Sequence, residues 1–110
     1  MPTLEERFQK GLEIRSRLSE GDGKNSKPSV PIAYELAPDM FRIVTECLYG
    51  SIWSRPGLDI KYRVMVVLTA TVVQRSDVQI RSNILYAINL GVTPQEIVEI
   101  IIQSAFYSGL

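Results

Sequence analysis

Apolar and polar positions follow one another through most of this chain with a period of about 3.6 residues, the pattern of helices that bury one side. Thr3 to Leu18 reads as a first helix, with Glu5 and Glu6 in its opening turn and Leu4, Phe8, Leu12 (or Gly11) and Arg15 at helical spacing. The polar stretch Glu20 to Ser29 predicts a loop. Pro28 and Pro31 keep the next residues extended, with a short helix possible around Ala33 to Leu36. Asp39 opens a second long helix whose apolar face is Met40, Ile43, Val44, Cys47 and Leu48. Gly50 is its expected end, and Ser51 to Asp59 forms a turn around Pro56-Gly57.

The segment from Lys61 to Gln74, with Asp59 as a candidate cap, supports two readings. Its β-branched residues between Val64 and Val73 favour a strand by propensity, whereas its length favours a helix buried on all sides. Ser76 or Asp77 caps the next helix, which runs to about Leu90 with Ile80, Ile84, Leu85 and Ile88 as its apolar face and Gly91 as its stop. Thr93-Pro-Gln-Glu96 is a capping-box pattern opening a last helix. Ile97, Ile100, Ile101, Ser104 and Ala105 form its inner face, and Val98 and Ile102 add apolar surface on the other side. The expected architecture is an all-α single domain over residues 1–110, with a polar loop at 20–30.

Composition narrows the chemistry. A chain of 110 residues supports one modest core. Twelve Lys+Arg balance twelve Asp+Glu, so there is no basic footprint for a nucleic acid or an anionic membrane. There is no histidine, which excludes a Ser-His-Asp triad, imidazole-ligated zinc or haem, and a histidine base. The single cysteine, Cys47, excludes an internal disulfide and a CxxC pair, and its apolar neighbours Val44 and Leu48 predict a buried, inert thiol. The longest apolar runs are too short to cross a bilayer, and the charged start MPTLEERFQK lacks the apolar centre of a secretory signal. A cytoplasmic domain working without metal or cofactor is expected. Two helices apolar on most of their circumference exceed what so small a monomer covers, which predicts a homo-oligomer closed by symmetry.

Four segments carry a more specific signal: Gly11-Leu-Glu-Ile-Arg15; Glu46-Cys-Leu-Tyr-Gly50-Ser-Ile-Trp53-Ser-Arg55-Pro-Gly-Leu-Asp59 followed by Arg63; Ala87-Ile-Asn-Leu-Gly91-Val-Thr93-Pro-Gln-Glu96-Ile-Val-Glu99; and Ala105-Phe-Tyr107-Ser-Gly109. In order and spacing they resemble the carboxymuconolactone decarboxylase family, whose wider group includes the alkylhydroperoxidase-D-like proteins. The resemblance implies a helical bundle of about six helices, assembled as a trimer or hexamer, and makes the Val-rich segment a helix. It also implies a cofactor-independent lyase acting on a small oxygenated carboxylic acid or lactone. Two departures stand out. The family's usual catalytic histidine falls on Asn83, and the chain stops at Leu110 where family members continue with a helical tail. The region matching the CxxC pair of the peroxidase branch is Ser76 to Gln79, without cysteine, so disulfide-reductase chemistry is excluded.

A cofactor-free decarboxylase must hold a carboxylate, delocalise the charge left on carbon and return a proton there. Arg55 is the family-matched guanidinium for the first two tasks, with Arg63 and Arg15 secondary. Asn83 can hydrogen-bond an oxygen but carries no exchangeable acid proton, which leaves Glu46, at the family's glutamate position, for proton transfer. A carboxyl in an apolar cleft is shifted by desolvation toward the neutral range such a role needs. Trp53 and Tyr107 are expected to wall the substrate pocket. Glu96 is explained by its capping box, and Glu99 by a solvated or interface face. Two other functions fit the same residues: an isomerase or cyclase of secondary metabolism, and a non-catalytic oligomeric binding protein.

Overall fold

A computed structural model describes residues 1–21 and 35–109, and every regular element among them is helical. The chain divides into two compact units, Met1–Gly57 and Leu58–Leu110. The described residues form five helical rods, against the six or so expected. Glu35 and Leu36 are helical, whereas Ala33, Tyr34 and the expected loop beyond Gly21 lie outside the described residues.

In the N-terminal unit, α1 spans Leu4–Glu20, two residues past the expected end. Thr3 caps it: its hydroxyl accepts from the Glu6 N–H at 3.1 Å while Glu6 accepts from the Thr3 N–H at 3.2 Å, satisfying two donors that a helix start leaves open. Its buried side is Gly11, Ile14 and Leu18, with Leu4 exposed, so of the expected face only the Gly11 alternative is buried.

A short helix α2, Pro38–Val44, runs directly into a π-helix, Thr45–Trp53. This wider coil corrects the expected second helix. Gly50 does not end it but lies buried inside it, and the chain turns only after Trp53. Hydroxyls take part in the change. Thr45 Oγ1 donates to the Phe41 carbonyl at 2.7 Å, and Ser51 Oγ donates to the Glu46 carbonyl at 2.8 Å, five residues back as in a π ladder. The buried positions become Thr45, Glu46, Gly50 and Trp53, while Met40, Ile43, Cys47 and Leu48 of the expected face are exposed. Cys47 is therefore not the buried thiol that its apolar neighbours suggest.

α1 and the π-helix pack backbone to backbone. A methyl group at Gly11 would collide with the Thr45 carbonyl oxygen, and one at Gly50 with the carbonyl oxygen of Arg7. Each helix thus supplies one glycine to the crossing.

The C-terminal unit contains α3 (Ile60–Val73), α4 (Asp77–Asn89) and α5 (Pro94–Ala105). Asp59 caps α3 by accepting from the Lys61 N–H at 3.2 Å. The Val-rich segment is a helix because Ile60, Val64, Leu68 and Thr71 share one buried side against α4 and α5. On α4 the buried side is Asn83 and Ala87, not the expected isoleucine-leucine face; Leu85 and Ile88 are exposed. Small Ala87, with no exposure, lets a neighbouring helix approach where a larger side chain would hold it off. Gly91 takes φ 89°, and the Val92 N–H reaches the Ala87 carbonyl at 2.9 Å, a left-handed helix stop. The Thr93–Glu96 capping box forms as expected, and the Thr93 N–H and hydroxyl hold the Glu96 carboxyl below its ordinary range. Ile97 and Ser104 are buried on α5, and Ile101, Val98 and Ile102 are exposed. No helix among the described residues is long and apolar enough to cross a membrane.

Candidate active site

The π-helix carries Glu46 and Trp53, and the turn that follows it carries Arg55. Glu46 is 7% exposed. Its Oε1 accepts from Arg42 Nε at 2.7 Å, a pairing one helical turn apart. The same guanidinium donates from Nη2 to Glu5 Oε2 on α1 at 2.6 Å and lies 4.3 Å from the centre of the Phe8 ring. Arg42 therefore joins a buried carboxylate to an exposed one. Glu5 is held below the usual carboxylate range, first by the Gln9 amide at 3.1 Å and then by Arg42; Arg42 is in turn raised, chiefly by Glu5.

Beside this trio, Arg15 donates from Nε to Thr45 Oγ1 at 2.9 Å, and its Nη2 is buried. Its guanidinium lies 4.8 Å from the Phe41 ring centre and 4.5 Å from that of Tyr49. Tyr49 stacks on Trp53 with ring centres 6.0 Å apart and planes 24° from parallel. The result is a continuous stack of Phe41, Arg15, Tyr49 and Trp53, in which cation–π and ring contacts hold the π-helix against α1. Trp53 is thus a packed member of this stack. Arg55 is exposed, with its N–H on the Ile52 carbonyl at 3.2 Å.

The other expected site residues belong to the C-terminal unit. Asn83 is buried, and its Nδ2 donates to the Gln79 carbonyl at 2.8 Å. Arg63 is half-buried at the start of α3, with Nε donating to the Leu58 carbonyl at 3.0 Å. Tyr107 is 80% exposed and lines an open cleft of about 330 Å³ with Thr69, Glu99, Ile100, Gln103 and Ser104; Arg63 and Asn83 do not line it.

Two residues around Glu46 escape a reading based on motifs. The signal that finds Arg42 is its i−4 spacing from Glu46, which places opposite charges side by side on a helix. Glu5 was not legible, because only the packing of α1 brings it 37 positions along the chain to Arg42.

The chain is 28% identical over 106 residues to the 4-carboxymuconolactone decarboxylase of Acinetobacter baylyi, covering 96% of this chain and 78% of that protein. It is 32% identical over 107 residues to the nitrosuccinic acid decarboxylase of Metarhizium robertsii, covering 93% and 70% respectively. An uncharacterized 15.0 kDa protein of Paracoccus denitrificans is 32% identical over 78 residues, covering 69% of this chain and 58% of its own length. Residues 38–110, which include Glu46, Arg55 and Asn83, match the carboxymuconolactone decarboxylase family. The chain belongs to the carboxymuconolactone decarboxylase family.

Proposed function

We propose that the chain is a cofactor-independent decarboxylase of a small oxygenated carboxylic acid or lactone, with Glu46 as the proton-transfer group. The observation that supports it most is the carboxyl of Glu46, nearly withdrawn from water on the π-helix and oriented by Arg42. In the reaction, the C–C bond to the substrate carboxylate breaks and carbon dioxide leaves. The electron pair passes into an adjacent carbonyl as an enolate, which Arg55 stabilises through its planar fork. Glu46 relays to that carbon a proton taken from water, leaving hydroxide. Trp53, in the same unit, is the proposed substrate contact beside it. Incubation with γ-carboxymuconolactone is expected to release carbon dioxide above background; no release removes the strict decarboxylase reading.

One residue favours a second reaction on the same fold. Asn83 stands where the family's histidine falls, and its amide donates to a backbone carbonyl, so it orients oxygen atoms without exchanging protons. An isomerisation, in which Glu46 removes a proton beside a carbonyl and returns it elsewhere on the same skeleton, needs no further proton carrier. If Asn83→His alone gains decarboxylation, the native protein serves that second reaction.

The working form proposed is a cytoplasmic homo-oligomer, a trimer or hexamer. Val66, Val98, Ile102 and Phe106 are exposed apolar side chains that self-association would cover. Sedimentation velocity is expected to give three or six chains; a monomer at micromolar concentration ends this assignment.

A further inference from the structure

Nε and Nη2 of an arginine are the two donors along one side of a planar guanidinium, the side that a single carboxylate grips with both oxygens in a bidentate pair. In Arg42 that side is divided between two helices. Nε meets Oε1 of the buried Glu46 at 2.7 Å, and Nη2 meets Oε2 of the exposed Glu5 on α1 at 2.6 Å. The Phe8 ring, also on α1, lies over the same guanidinium at 4.3 Å and is met edge-on by Phe41, with ring centres 6.4 Å apart. The fork is therefore held from α1 by a carboxylate on its edge and a ring on its face. The division leaves the buried carboxylate with unlike oxygens. Oε1 has Arg42, whereas Oε2 has no hydrogen-bond partner among the described residues. A group that takes up and gives back a proton needs one oxygen that is not already committed to a cation.

We propose that Glu5 is a positioning residue for proton transfer at Glu46: by holding Nη2 of Arg42 it stops Glu46 from closing both oxygens onto the guanidinium, and so keeps Oε2 open. The assignment rests on the decarboxylase reading above and gives α1 a part in it without contact with the reacting molecule. Arg42 and Glu46 stand four residues apart where α2 runs into the π-helix, a spacing at which opposite charges meet unaided. Left to themselves they would close into the bidentate pair, the stronger arrangement for a guanidinium and a carboxylate. A carboxylate gripped at both oxygens keeps its charge and loses its capacity to relay a proton. Glu5 prevents that closure with little bearing on the fold, since its side chain is 64% exposed and solvated pairs contribute little to stability. The Gln9 amide, one turn along α1, donates to Glu5 Oε1 at 3.1 Å and so steadies the oxygen that Arg42 does not use.

The test compares Glu5→Ala, which removes the acceptor, with Glu5→Gln, whose amide oxygen still accepts from Nη2. In a crystal structure of Glu5→Ala, both Glu46 oxygens are expected within about 3.2 Å of Arg42 Nε and Nη2. In Glu5→Gln the division persists. With γ-carboxymuconolactone as the probe, Glu5→Ala is expected to lower kcat about three- to thirty-fold, the range of coupling within one ion-pair network, while KM stays within about two-fold. Glu5→Gln is expected to lose less, and a melting midpoint equal to the parent's separates this loss from unfolding. In an Arg42→Gln background, Glu5→Ala should change kcat by less than about two-fold, because the group it acts through is gone. A Glu46 Oε2 that stays off the guanidinium in Glu5→Ala overturns the proposal, whether or not the chain turns over the probe. An unchanged kcat beside a closed pair also overturns it, as does an equal loss with and without Arg42. A closed pair in Glu5→Ala, when the parent releases no carbon dioxide, leaves Glu5 as the residue that opens Glu46 and removes the decarboxylase assignment alone.

Discussion

Gly50→Ala is expected to destabilise the N-terminal unit by about 3 kcal/mol or more, a large share of the stability of an ordinary domain. The added methyl would meet the Arg7 carbonyl oxygen directly and the Thr45 carbonyl oxygen at 3.1 Å. The Arg7 oxygen is backbone of α1, so no side-chain rotation makes room and the helices must separate along the stack that Arg15 and Tyr49 bridge; the Thr45 oxygen belongs to the π-helix itself, which must also adjust. Gly11→Ala presses on the same crossing from the other side, against Thr45, and is expected to act in the same direction. Gly57→Ala, with nothing within 4 Å of the new methyl, is the control and should stay within about 0.5 kcal/mol of the parent. Trp53 is the only tryptophan in the chain and is buried in this unit, so its fluorescence in a urea titration reads the effect. A Gly50→Ala midpoint equal to that of the parent would show that the backbones are not in contact there.

Glu46→Gln is expected to lower turnover by roughly 10²- to 10⁴-fold, the usual share of a positioned proton donor or acceptor. The amide has nearly the shape of the carboxyl and still offers an oxygen to Arg42, which also retains Glu5. Folding should therefore survive while the exchangeable proton is lost. Steady-state rates at saturating substrate, beside the same Trp53 unfolding curve, separate the two effects. Turnover within two-fold of the parent, with the fold intact, would remove Glu46 from the chemistry.

What the chain discloses locally matches the structure well. Asp59, Thr93-Pro94 and Gly91 sit where caps and stops were read, because a cap is settled by a few neighbouring atoms. The Val-rich α3 was open on propensity and became a helix through burial of Ile60, Val64, Leu68 and Thr71, a tertiary effect that overrides β-branched preference. The π-helix was not legible. A face drawn at 3.6 residues per turn placed Met40, Ile43, Cys47 and Leu48 inside; Met40 and Ile43 lie on α2, which buries none of its residues, and the wider coil that follows exposes Cys47 and Leu48 and buries Thr45, Glu46 and Gly50. Gly50 looked like a helix stop because glycine serves both stops and close contacts, and the sequence does not distinguish them. Glu46 and Arg55 stood out through the family resemblance, whereas the Glu5 end of the Arg42 bridge depends on packing that no local pattern encodes.

The glycine crossing also limits how the N-terminal unit can move. Two helices whose main chains touch at two places cannot shear past one another by a fraction of an ångström without collision. The exposed Arg42–Glu5 bridge between them therefore opens by side-chain rotation, an event of picoseconds to nanoseconds, and not by sliding of the helices.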